Sequence, residues 1–196
     1  MAKRSAATIL FLLFLGLIPL QVNAGVPTEV VETQVNKILA KLGDPVFQQQ
    51  QREVKIAQIS EIVSEIFDWN ELCKRTVGRD WKKMNAAQQK EFTDLFRALL
   101  ERTYADRLLA YVDEKVVFAK ETDLGKNKFE VQSNIITADN KEIPLYYRLI
   151  ESSGQWKVYD VIIEGVSLVQ NYRSQFREIL AKGSAEDLLA ILRQKK

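Results

Sequence analysis

The chain of 196 residues has no histidine, one cysteine, four prolines and eight glycines. Without histidine there is no Ser-His-Asp or Cys-His nucleophile, no His-containing zinc site and no imidazole pH switch. A lone cysteine, Cys73, closes no intramolecular disulfide. It falls in a helical stretch with no base beside it, so it reads as a small buried hydrophobe rather than a reactive thiol. No Gly-rich phosphate loop and no GxxxxGK(S/T) motif occurs, which excludes nucleotide hydrolysis by that route. A membrane-spanning run is also missing. Ala6–Leu20 is uncharged over 15 residues, short of the roughly 20 that a span needs.

That run has another reading. Lys3 and Arg4 precede it, and Val22, Asn23 and Ala24 follow as small-residue cleavage positions. The order is that of a secretory signal peptide over residues 1–24, with a domain over 25–196 beginning at Gly25. No cysteine follows the run to take a lipid anchor. Removing Lys3 and Arg4 leaves 26 basic against 26 acidic residues. A neutral chain gives no bulk support for a nucleic-acid partner.

What is present is periodicity. "PTEVVETQVNKILAKLG" aligns Val31, Val35, Ile38, Leu39 and Leu42 on one helical face, closed by Gly43 and "DP". "QREVKIAQISEIVSEIFDW" repeats the pattern with Ile56, Ile59, Ile62, Val63, Ile66 and Phe67. Asp68 can cap a short helix over Trp69–Val77, ended by Gly78. Asn85 with Gln88 forms a capping-box pattern before a long helix striped by Phe92, Leu95, Phe96, Leu99, Leu100, Tyr104, Leu108 and Tyr111.

From Lys115 the period falls to two. "KVVFAKE", "KFEVQSNII", "EIPLYYRLI" and "QWKVYDVIIE" read as four strands, joined by "DLGKN", "ADNK" and "SSG". Short links make an antiparallel meander. Phe129, Val131, Ser133 and Ile135 share one face, as do Ile143, Leu145, Tyr147 and Leu149, with Arg148 pointing the other way. Gly165 allows a sharp turn. "SLVQNYRSQFREILAKG" is then a helix, and a capping box of Ser184 and Asp187 opens the last one. The class is α+β: a curved four-stranded antiparallel sheet with helices packed on one face.

Two acids interrupt the apolar stretch "VYDVIIEGVSLVQNYRSQF". Extended, Asp160 and Glu164 lie roughly 13 Å apart, too far to share a proton and too wide for most paired-carboxylate glycosidases. Structural roles fit better. Asp160 accepts hydrogen bonds from backbone N–H, Arg or Tyr, and Glu164 helps the helix start.

"WKVYDVIIEGVSLVQNYRSQF" closely resembles the signature of the MlaC or toluene-tolerance family of periplasmic phospholipid-binding proteins. "EIFDWNELCKRTVGRDWKKMNAAQQKEFTDLFRALLERTYADRLLAYV" resembles that family's central helical segment, and "IPLYYRL" its third strand. The likeness covers essentially residues 27–194. It implies a fold similar to the nuclear-transport-factor-2-like cone and a soluble periplasmic carrier. Such a carrier holds a phospholipid by its acyl chains between sheet and helices. It exchanges lipid with an outer-membrane lipoprotein complex and an inner-membrane ABC transporter complex, maintaining outer-membrane lipid asymmetry. Neither catalysis, a cofactor nor a metal is implied.

Under this reading the ligand-facing residues are Tyr104, Leu108 and Tyr111 on the long helix. Val131, Ser133, Ile135, Tyr147 and Leu149 face them from the second and third strands. Val158, Asp160, Ile162 and Val166 follow from the signature stretch. Burial is worth about 0.8 kcal/mol per CH₂, so two acyl chains bind strongly relative to water. Relative to a bilayer the terms nearly cancel, which suits exchange near equilibrium. Two alternatives stay open. One is an isomerase or dehydratase built on the same cone, with Asp160 as base and Tyr104 or Tyr147 as donor. The other is a non-lipid interaction module, or a carrier of a different cargo such as a lipoprotein or a hopanoid.

Overall fold

Helix starts in this chain are written into short polar side chains. In the structure, a computed structural model that describes residues 26–111 and 114–195, Asp68 accepts the Glu71 N–H at 2.8 Å and opens helix α4, Trp69–Val77. Asn85 and Gln88 exchange side-chain and backbone bonds in a full capping box at the head of α5, Ala86–Ala110. Ser184 and Asp187 do the same for α7, Ala185–Gln194. Ser167 caps α6, Leu168–Leu180. Upstream lie α1, Pro27–Leu42, and α3, Arg52–Ile66. Between them is a four-residue helix, α2, Pro45–Gln48, where the sequence reading has only the Gly43 and "DP" stop of the first helix. Asp44 caps it by accepting the Val46 N–H. A 3-10 helix, Gly78–Lys83, links α4 to α5. No helix among the described residues is long and apolar enough to cross a membrane. The signal-peptide reading of residues 1–24 lies outside the described residues.

Strands β1 (Lys115–Asp123), β2 (Lys128–Ile136), β3 (Glu142–Ser152) and β4 (Gln155–Ile163) form the expected meander. A fifth strand of two residues, β5 (Val166–Ser167), extends the order to β1-β2-β3-β4-β5. The β4–β5 link is the two-residue turn Glu164–Gly165, with φ of 50° and 80°. Glu164 thus serves the turn, and Ser167 rather than Glu164 starts the helix. The pairing sets Val131 opposite Tyr147 and Ser133 opposite Leu145, so the expected inner face of β2 and β3 is in register.

The apolar residues gather into three separate clusters. The largest joins α4, α5, α6 and α7 through aromatic rings: Phe96 lies 4.9 Å from Tyr172 and 5.3 Å from Phe176. Cys73 is fully buried in it, which pushes the thiol pKa up to about 12. A second cluster packs Val31 and Ile66 of the helices against Val131, Leu149 and Val158 of the sheet. A third, smaller one joins Leu42, Phe47 and Ile59.

Candidate functional site, an apolar cavity between sheet and helices

The buried residues of the three clusters stay apart, with partly buried Phe67 packing against both the first and the second. Between them lies a cavity of about 270 Å³. Each cluster contributes to its wall: Leu100 and Leu168 from the aromatic core, Val31, Ile66 and Val158 from the sheet cluster, Leu42 and Ile59 from the third. Val116, Ile135, Leu145, Tyr147, Val161 and Ile163 form the sheet side, while Tyr104, Leu108 and Leu109 of α5 face them. The polar residues on the wall are few: Gln34, Ser60, Glu101, Arg107 and Glu114. Arg107 is exposed, so the wall reaches the surface there.

Tyr147 places a hydroxyl in this apolar setting. Burial holds its pKa well above the usual phenol range, and a hydrogen bond with Ser133 opposes that shift. Ser133 Oγ in turn donates to the Leu145 carbonyl at 2.6 Å. The phenol therefore stays neutral at any physiological pH and is already partnered. It cannot serve as a base.

Of the twelve residues that the sequence reading places against a ligand, six stand on this wall: Tyr104, Leu108, Tyr111, Ile135, Tyr147 and Val158. The other six do not. Val131, Ser133 and Leu149 are fully buried behind it in packed contact. Val166 is exposed at 59% beyond the tight turn.

Asp160 and Ile162 miss the wall for a different reason. Strict alternation from Val158 would carry both onto the cavity side. The β3–β4 register instead pairs Arg148 with Asp160 but Leu149 with Val158, leaving Tyr159 as an extra residue. This bulge shifts the phase of the strand by one. Val158, Val161 and Ile163 then face the cavity, whereas Asp160 and Ile162 join Arg148 on the opposite face. The Val158 carbonyl, next to the bulge, is satisfied by the Asp68 N–H at 2.9 Å.

Asp160 is 2% exposed and fully engaged. Its Oδ1 accepts the Val169 N–H at 3.0 Å, and its Oδ2 accepts the Ser167 hydroxyl at 2.7 Å. The Arg148 guanidinium lies 3.6 Å away and donates from Nε to the Glu130 carboxylate at 3.0 Å. The carboxylate thus holds the positive end of α6 against the sheet. The enzyme alternative requires Asp160 and a tyrosine in one pocket, and the fold sets Asp160 and Tyr147 on opposite faces of the sheet.

The twelve residues of the sequence reading leave out the wall residues of α1 and α3, and also Trp69, Leu109, Val116, Leu145, Val161 and Ile163 among others. Val35, Ile38, Leu39, Ile56 and Val63 all line the cavity. Their stripes were visible in the sequence as amphipathic faces, and the missing information was which face meets a hollow.

A family model described as MlaC protein matches residues 32–194. The chain is 33% identical over 124 residues to the intermembrane phospholipid transport system binding protein MlaC of Haemophilus influenzae, covering 61% of this chain and 58% of that protein. It is 26% identical over 102 residues to toluene tolerance protein ttg2D of Pseudomonas putida, covering 52% of this chain and 47% of that protein. The aligned part is thus about half of each curated relative's length. A solved structure of a phospholipid-binding protein from Ralstonia solanacearum, in complex with a phospholipid, superposes with a TM-score of 0.81 at 26% identity, covering 87% of this chain and 97% of that one.

Proposed function

Because the chain belongs to the MlaC family, we propose that its cavity holds phospholipid acyl chains and that the protein carries lipid between membranes. The observation that carries this reading is the hollow itself. About 25 apolar and aromatic side chains, most of them from the three clusters, enclose space that close packing would otherwise fill. An empty cavity of this kind costs stability in proportion to its volume, and occupation by acyl chains removes that cost. The phospholipid-bound relative of the same fold supports the assignment. In this proposal the protein works in the periplasm without catalysing a reaction. It exchanges cargo with an outer-membrane lipoprotein complex and an inner-membrane ABC transporter complex, and those partners supply direction and ATP hydrolysis.

Extraction of the purified protein with chloroform and methanol, followed by phosphate assay and mass spectrometry, tests the proposal. Phospholipid near one molecule per chain is expected. A preparation that contains no lipid and takes none up from vesicles would overturn it, and a copurified sterol-like or hopanoid lipid would change the cargo class.

A further inference from the structure

Charge on this molecule is distributed unevenly. Residues 69–84 and 168–182 together carry eight cations against three acids, although residues 25–196 are neutral overall. These segments are α4 with the following 3-10 helix and Met84, and α6 with the two residues after it. The two helices pack side by side. The rest of the domain therefore carries the compensating negative charge.

Several of the cations are already engaged. Lys74 and Arg75 pair with Glu71, and Lys83 pairs with Asp80. Arg79, Lys82, Arg173 and Arg177 are exposed and have no ion-pair partner among the described residues. Arg173 and Arg177 lie one turn apart on α6. The Arg173 guanidinium lies over the backbone of Gly78, where an added Cβ would stand 3.4 Å from its Nη2. Gly78 has φ +73°, so the glycine permits the bend, and the Arg173 guanidinium packs against it next to Arg79 in sequence.

We propose that this face, formed by the end of α4, the 3-10 helix and the outer side of α6, docks an acidic protein surface. Carboxylates of the partner pair with Arg79, Lys82, Arg173 and Arg177. Three of the four are arginines, whose planar fork suits bidentate carboxylate recognition. A lipid surface is the poorer match. Lipid binding of this kind combines cations with inserting apolar side chains, and the exposed large hydrophobics, Val26, Val46, Val54, Val117, Leu124 and Val166, all lie outside these segments. The face also stands apart from the cargo. Trp69 and Leu168, at the starts of the two helices, are their contributions to the cavity wall. The inference is independent of what the cavity carries.

A photo-crosslinking residue placed at the exposed Ser174, between the two α6 arginines, tests it in cells that make the full chain, with the exposed Ser153 as the control position. The expected result is a discrete protein adduct at position 174 that is absent at 153, with the linked peptide rich in Asp and Glu. Arg79→Glu with Arg173→Glu should reduce the adduct at least tenfold. Lys82→Glu with Arg177→Glu should do the same without touching the Gly78 contact, which guards against a folding defect in the first pair. Unchanged lipid content in both variants separates this face from the carrier role. No adduct, an adduct to lipid alone, or an adduct insensitive to both charge reversals would refute the proposal.

Discussion

Filling the cavity should be tolerated where filling the core is not. Val161 stands on the cavity wall, directly across from Tyr147 in the β3–β4 register. Val131 faces Tyr147 from the other side, in β2, but is 0% exposed and packed within the sheet cluster. Replacing either valine by phenylalanine adds about 50 Å³ of side chain; at ~24 cal/mol per Å³ of cavity removed, Val161→Phe can return roughly 1 kcal/mol to the lipid-free protein. The same change at Val131 overpacks a filled region and should cost about 1–3 kcal/mol. Cargo should respond in the opposite order. The ring at 161 occupies room for about two methylenes, worth roughly 1.6 kcal/mol or about fifteenfold in affinity. The assay pairs urea denaturation of delipidated protein with lipid uptake from vesicles. Val161→Phe should hold or gain stability and lose uptake, and Val131→Phe should lose stability while the folded fraction keeps its uptake. A Val161→Phe protein that is destabilised by about 2 kcal/mol and still loads normally would show that the wall is ordinary core and the cargo sits elsewhere.

Asp160→Ala leaves the Val169 N–H and the Ser167 hydroxyl without their acceptor, so a loss of about 3 kcal/mol is expected by thermal melting. Asp160→Asn keeps one acceptor oxygen and should lose less, and lipid per folded molecule should be unchanged in both. Loss of a chemical turnover in folded, lipid-loaded Asp160→Asn would revive the enzyme reading. Cys73, with its thiol raised to about 12 by burial, carries only about one thiolate in ten thousand molecules at pH 8. Ellman's reagent should therefore react negligibly until denaturant is added, and rapid labelling of the native protein would contradict the burial. Gly78→Ala forces a Cβ into a backbone of φ 73° and ψ −129°, which should cost about 1–3 kcal/mol as a shift in urea midpoint at constant slope.

Much of the fold was legible because its signals are local. Asp68, Asn85 with Gln88, and Ser184 with Asp187 each cap the helix that their spacing predicts. The β2–β3 register followed from turn length and alternation. The errors lie where a local rule is carried past its range. Alternation holds along β4 only up to the extra residue at Tyr159, and nothing in "WKVYDVII" marks the bulge. The site was legible by half for a related reason. Val131 and Ile135 look alike as inward strand residues, yet one is sealed and the other lines the hollow. Val131 packs with Val31 of α1 and Ile66 of α3, whereas Ile135 belongs to no such cluster, and no single element encodes that difference. The short helix α2 and the strand β5 escaped notice because four and two residues carry no period.

The separation of the three apolar clusters has a consequence for motion. Amide groups exchange with solvent through openings whose free energy reflects the contacts that must part. The ring-stacked unit of α4 to α7 should open as a block near the global limit. The cluster of Leu42, Phe47 and Ile59 is tied to the rest across the hollow by partly buried neighbours such as Leu108 and Tyr111. Amides of α1 and α3 should therefore exchange sooner than those of α5 when the cavity is empty. Cargo that bridges the clusters would draw the two rates together, and deuterium uptake could then report loading without any label on the lipid.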